Sequence, residues 1–244
     1  MALKGFHQNK KSKALYIGLL LLLVVPLFLA FRIKDLSPSS GHASVGPQKK
    51  PLQGPVVIVD PGHGGTDPGA CREGVMEKDI NLAIAKEMKK LTPDQGFQVR
   101  LTREKDMDFT SQGVYSKRAE RYDLNQRIAA AHRWGGSIFI SIHVNSGVGR
   151  NKGPEIYYSP QNKASLRLAE AIQQQLNEVA ATPAKEPKAE EFYLFDHLNI
   201  PAVIVETGWL CNAEDRNKLQ DPAYQHQLAL AISQGIKEFV EEGN

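Results

Sequence analysis

The sequence predicts an α/β fold: one domain with a mainly parallel, twisted central sheet and helices on both faces, preceded by one N-terminal transmembrane helix. Three observations point there. Apolar runs of strand length alternate with segments of helical period from residue 56 to residue 241, the pattern of a parallel sheet covered by helices. The strand-like runs are rich in Val and Ile and nearly continuous in hydrophobicity, as strands buried on both faces are. A stretch of 18 residues without a charge, Ala14–Phe31, stands apart near the start of the chain.

That stretch is at the short end of the roughly 17–25 apolar residues that span a bilayer. Lys4, Lys10, Lys11 and Lys13 precede it, and a basic flank stays on the cytoplasmic side. The expected organisation is a cytoplasmic tail over 1–13, an anchor over 14–31, a linker over 32–54 and an extracytoplasmic domain over 55–244. The linker is rich in Ser, Gly, Pro and Lys. A cleaved signal peptide is the rival reading; the long charged start and weak cleavage site favour a retained anchor. Residues 1–50 carry a net +7 and residues 51–244 a net −4. The basic pI therefore belongs to the anchor region, and the domain lacks the basic footprint of a nucleic-acid binder.

Within the domain the elements follow in order. Val56, Val57, Ile58 and Val59 open a buried strand over 56–60 that breaks at Pro61-Gly62 and presents His63 among glycines. A helix over 78–91 is marked by Ile80, Ile84, Met88 and Leu91 at helical spacing. A strand over 97–102 and a helix over 120–133 come next. The strand over 137–143 places Ile138, Ile140 and Ile142 on one face and Phe139, Ser141 and His143 on the other. A strand over 154–158 and a helix over 164–180 follow. Residues 182–191, with two prolines and mixed charge, read as a mobile loop and a candidate border of a substrate groove. A strand over 202–206 delivers Glu206. The last helix, 223–241, carries a core stripe of Leu228, Ala231, Ile232, Ile236 and Val240.

Sites in open α/β sheets gather at the carboxyl ends of the strands. Three strands offer His63, His143 and Glu206 there. His63 suits a metal ligand, or an incidental histidine in a glycine turn. Glu206 follows a strand that should be buried, where a charge is unfavourable without a partner. Glu77 begins a helix, as a ligand or as a carboxylate complementing the helix dipole. Among the rest, His132 suits the dipole at a helix C-terminus, His197 is a weaker candidate for the site's surroundings, and His226 reads as solvated. Arg127 pairs either with a buried carboxylate or in a surface salt bridge. Cys71 and Cys211 could form a disulfide in an exported compartment; two separate small buried residues is the favoured alternative.

The stretches VVIVDPGHGGTDPGA, VMEKDINL, LTREKD, DLNQRIAAAH, SIFISIHVNS and PAVIVETGWLCNAEDRNKL occur in this order. Together they resemble the zinc-dependent N-acetylmuramoyl-L-alanine amidases often called amidase 3, over about residues 55 to 240. The resemblance implies Zn2+ held by His63, Glu77 and His143, with Glu206 as the catalytic carboxylate. It implies peptidoglycan as substrate, cut between N-acetylmuramic acid and L-alanine of the stem peptide. VNS and WLCN depart from the family's usual residues without touching these four. Two imidazoles and a carboxylate are also a common catalytic zinc set. An anchor without separate wall-binding repeats resembles the short amidases of the spore cortex. The alternatives are a zinc peptidase or carboxypeptidase acting on wall peptides, or an inactive anchored wall-binding protein; a need for an activating partner stays open.

Overall fold

The computed structural model describes residues 54–92, 95–110, 113, 116–147, 151–180 and 182–243. The expected tail, anchor and linker, apart from Gly54, lie outside the described residues. No described helix is long and apolar enough to cross a membrane.

Among the described residues there are eight strands and six helices, the longer of which alternate as expected. The order is β1 (Val56–Pro61), β2 (Cys71–Arg72), β3 (Val75–Met76), α1 (Glu77–Leu91), β4 (Gln98–Leu101), α2 (Lys117–Arg133) and β5 (Ile138–Asn145). Then come β6 (Glu155–Tyr158), α3 (Lys163–Val179), β7 (Lys188–Ala189), α4 (Tyr193–Asp196), β8 (Ala202–Trp209), α5 (Ala213–Leu219) and α6 (Pro222–Glu242). One sheet has the order β4-β1-β5-β8-β6-β7. Its first four strands are parallel, while β6 runs antiparallel to β8. The hairpin β2–β3, the short helices α4 and α5, and β7 were not foreseen; each is too short to show a period.

Helices cover both faces. On one, Ile80, Ile84, Ala85 and Met88 of α1, Leu168 and Ile172 of α3, and Leu228, Ile232 and Ile236 of α6 pack on Val57, Val59, Ile138, Ile140, Ile142, Val203 and Val205. On the other, Ile128 and Ala131 of α2 and Leu194 and Phe195 of α4 pack on Ile58, Phe139, Ala202 and Ile204. Alternation along β5 thus divides its residues as expected. Helix starts follow capping chemistry. Ser116 accepts from the backbone N–H of Ala119, which starts α2 three residues earlier than expected. Asn162 caps α3 and Asp221 caps α6, with Pro222 at the first turn.

Two expectations are corrected. Residues 188–189 add an edge strand to β6, and Lys185 Nζ donates to the carbonyls of Lys152 and Gly153 and to Glu155 Oε1. The segment 182–191 is therefore pinned where a loose loop was expected. Cys71 and Cys211 are both free, as the favoured alternative had them, but neither is buried, and Cys71 is exposed because it lies in the solvent-facing β2–β3 hairpin.

Candidate metal centre

The second face of the sheet changes from apolar to polar toward the strands' carboxyl ends. Ile58, Phe139, Ala202 and Ile204 are followed by Asp60, Ser141, His143 and Glu206. His143 and Glu206 are direct partners in the β5–β8 ladder. Both lie inside their strands, since β5 runs on to Asn145 and β8 to Trp209. Three residue steps from Glu206 to Trp209 match two from His143 to Asn145, an irregularity of the kind that re-aims side chains beside sites.

Glu77, at the first position of α1, reaches between the two histidines. Its Oε1 lies 2.9 Å from His143 Nδ1 and 3.2 Å from His63 Nε2. The three candidate donor atoms of His63, Glu77 and His143 lie within 4.8 Å of one another. The imidazole rings meet edge to face with centroids 4.9 Å apart. The Glu77 carboxylate also accepts from the backbone N–H of Ala70 at 2.8 Å and of Val144 at 3.1 Å. Burial opposes its charge, but the hydrogen bonds from His143 and His63 hold its pKa far below the carboxylate range. The dipole alternative for Glu77 is thus too small an account of this residue.

Close packing explains two glycines here. A Cβ on Gly62 would sit 2.2 Å from the His143 ring, and one on Gly69 would sit 2.6 Å from Glu77 Oε2. His63 itself adopts φ 61°, a strain of about 1–3 kcal/mol that its surroundings must hold. They do so through the loop's carbonyls. Arg103 Nε donates to Pro61 O, and its Nη2 to Gly62 O and Lys78 O. Arg127 donates to Pro61 O and His63 O, and Lys78 Nζ to Gly65 O. Arg127 also pairs with the buried Asp60, Nη1 to Oδ1 at 2.8 Å, and with Asp123 at 2.6 Å. Thr102 and Ser141 complete the Asp60 carboxylate. Of the two readings of Arg127, the buried pair is the one found.

Sequence reasoning missed Asp67. Its Oδ2 lies 2.7 Å from His63 Nδ1, so Nδ1 carries the hydrogen and Nε2 faces Glu77. Burial works against a charged His63, yet the bonds to Asp67 and Glu77 push its pKa up to about 10. The available signal was an acid four residues after the histidine in a glycine turn. Glu155 was also missed. It is the ladder partner of Glu206 on β6, buried, and held by Lys185 and Lys188. Glu206 differs from all these acids. Its Oε2 is buried and has no hydrogen-bond partner. Burial pushes its pKa up to about 7, the positive field of His143 offsetting part of that and Glu77 adding to it.

His63, His143, Glu206 and Asp67 share a cavity of about 340 Å³ with Arg121, Leu124, Phe192, Tyr193 and Ile204. The volume is within the range of small-molecule sites, roughly 300–1,000 Å³. His197 lies outside it, stacked on Tyr193 with ring centroids 4.0 Å apart. His132 and His226 do not line the cavity; His226 Nδ1 lies 3.4 Å from Glu87 Oε2. The segment 182–191 does not line it either, though the next residue, Phe192, does.

Comparison with known proteins agrees with this geometry. The family model described as N-acetylmuramoyl-L-alanine amidase matches residues 57–238. The germination-specific N-acetylmuramoyl-L-alanine amidase of Bacillus subtilis is 31% identical over 239 residues, covering 96% of this chain and 98% of that one. The CwlD amidase of Clostridioides difficile, solved in complex with the GerS lipoprotein, superposes with a TM-score of 0.73 at 32% identity, covering 77% of this chain and 99% of that one. The catalytic domain of CwlV, an N-acetylmuramoyl-L-alanine amidase of Bacillus (Paenibacillus) polymyxa, gives a TM-score of 0.66 at 29% identity, covering 77% and 98%. This chain belongs to the N-acetylmuramoyl-L-alanine amidase family, and is a peptidoglycan hydrolase that cleaves the amide between N-acetylmuramic acid and L-alanine.

Proposed function

We propose that His63 Nε2, His143 Nδ1 and the Glu77 carboxylate hold a zinc ion, and that Glu206 is the proton-transferring carboxylate of the amidase reaction. The observation that carries this reading is the convergence of three donor atoms within 4.8 Å beside a buried, unpartnered oxygen of Glu206. The donor set fits: two imidazoles and one carboxylate are a common catalytic zinc set that leaves a position open. Asp67 fits as well, since a carboxylate on the second ring nitrogen fixes a ligand histidine's tautomer and orientation. When bound, zinc supplies Lewis acidity to the scissile carbonyl and to the attacking water. Glu206 accepts the proton of that water and returns it to the departing alanine nitrogen. Of the two carboxylate oxygens, Oε2 is buried, while Glu206 itself lines the cavity.

His63→Ala and His143→Ala should each lose metal and activity together, measured as zinc per chain after dialysis and as release of stem peptide from muropeptides. Full zinc occupancy in either variant would remove that histidine from the ligand set. Asp67→Asn should keep the ligands but weaken zinc binding by roughly 10–100-fold, the usual effect of removing such a support. A shortened stem among the products, in place of a free one, would favour a wall peptidase.

We propose also that residues 14–31 anchor the chain with residues 55–244 outside the membrane. The four lysines before the apolar stretch support it. Protease added to spheroplasts should digest the domain and leave the N-terminus protected. A mature protein that starts beyond residue 31 would identify a cleaved signal instead. A role on spore cortex is supported by the near full-length likeness to the germination-specific amidase.

A further inference from the structure

One set of residues lining the catalytic cavity has no part in the chemistry above. It is formed by Arg121 and Leu124 of α2 and by Phe192, Tyr193 and Leu194 at α4. The guanidinium carbon of Arg121 lies 3.4 Å from the centroid of the Tyr193 ring. Tyr193 is itself fixed: its hydroxyl donates to Asn125 Oδ1 at 2.8 Å, and the His197 ring packs against it. His197 Nδ1 lies 2.9 Å from the Tyr193 carbonyl, which holds that imidazole in turn. A stacked guanidinium keeps its N–H edges available for a planar anion, and its rotamer entropy is reduced before any ligand arrives.

Asp67, Asp123 and Arg127, which also line the cavity, are already engaged. Asp67 is bound by His63. Asp123 is bound by Arg127 and by the backbone N–H of Phe109. Arg127 is held by Asp60 and Asp123. Glu120 sits beside Arg121 on the rim. Among the described residues no carboxylate forms an ion pair with Arg121.

We propose that Arg121, held on Tyr193, binds a carboxylate of the stem peptide and makes the enzyme discriminate a free-acid stem residue from its amidated form. The proposal rests on the amidase reading. In that substrate the lactyl carboxyl is consumed in the scissile amide, and the sugar's hydroxyl and acetamido groups carry no charge. Only the peptide side brings an anion near the reacting bond. A residue spans at most ~3.3–3.6 Å of extended chain, so the residue after L-alanine falls within the reach of one cavity. Leu124, Leu194 and Ile204 supply the apolar surface against which the alanine methyl can rest.

The test uses the full chain, zinc-loaded, on two synthetic muramoyl peptides. They differ only in whether the residue after L-alanine carries a carboxylate or a carboxamide. Wild type should favour the acid in kcat/KM by roughly 10–100-fold, the size of one charge-assisted contact. Arg121→Ala should lose that preference by slowing on the acid while changing little on the amide. Arg121→Gln keeps length without charge and should behave like Arg121→Ala. Arg121→Lys should retain part of the preference. Equal rates of wild type on both peptides would overturn the proposal, as would an equal fall on both in Arg121→Ala and Arg121→Gln. Cleavage of neither peptide by wild type would overturn the amidase mechanism, and this subsite with it.

Discussion

Glu206→Gln is expected to lower turnover by roughly 10²–10⁴, the usual contribution of a general base, while zinc content and fold stay as in wild type. The amide is nearly isosteric with the acid, so the ladder pairing with His143 and Glu155 should persist. Oε2 has no hydrogen-bond partner to lose. Removing a buried carboxyl whose pKa is already raised relieves an unfavourable desolvation, so the thermal midpoint should hold or rise. Substrate affinity should survive, and the variant should trap a muropeptide. Two results would contradict the assignment. Loss of zinc would make Glu206 a ligand and put Glu77 in question. Turnover near the wild-type value would place the base elsewhere.

The second large effect is structural. Arg127→Ala leaves the Asp60 carboxylate buried without its guanidinium, and breaking such a pair costs about 3–5 kcal/mol. For a domain of this size each kcal/mol moves the midpoint by roughly 2–4 °C, so a fall of about 6–20 °C is expected by scanning calorimetry. A double variant, Asp60→Leu with Arg127→Met, should recover part of that loss, because both members of the buried pair are gone and only the partly exposed Asp123 loses its guanidinium. It should not recover metal affinity, since Arg127 also holds the carbonyls of Pro61 and His63. Zinc titration against a competing chelator separates the two effects. An unchanged midpoint in Arg127→Ala would show that solvent reaches the pair. Burial tends to raise the Asp60 pKa, but Arg127 and Thr102 outweigh it and hold the value below normal. Its contribution is therefore present above the unfolded value of roughly 3.9 and is lost as pH falls through the lower folded value. Arg127→Ala should accordingly flatten the acid limb of the stability curve.

Most of the architecture was legible in the residues because each long element carries its own period. Val57 to Val59, the isoleucines of β5 and the stripe of α6 needed no distant partner to be read. His63, His143 and Glu206 were legible because strands deliver them to one end of the sheet. What escaped depends on pairing across the chain. Arg103 reaches Gly62 over 41 positions, and for Arg127 the buried carboxylate was one of two open readings whose partner, Asp60, lies 67 positions away. Nothing local distinguishes either from a surface arginine. Asp67 was hidden in a turn where acids are ordinary. The edge strand β7 has two residues, below any period, and exists because the side of β6 was open to it.

The pairing of His143 with Glu206 acts as a ruler. Neighbouring strands are held ~4.8 Å apart by their own backbone hydrogen bonds, so the separation of the proposed ligand and the proposed base is set by the ladder and not by a hinge. A shift of one residue would turn Val205 or Thr207 toward the cavity and Glu206 into the helical layer behind. Deletions and insertions should therefore grade differently along β8 than substitutions do. A single-residue deletion at Val203 or Ile204 should abolish activity even where the protein still folds. A paired deletion of two residues preserves the facing and should be the less harmful change. The spacing of the proposed reacting groups is thus carried by the register of two strands, a quantity that point-mutation scanning cannot sample.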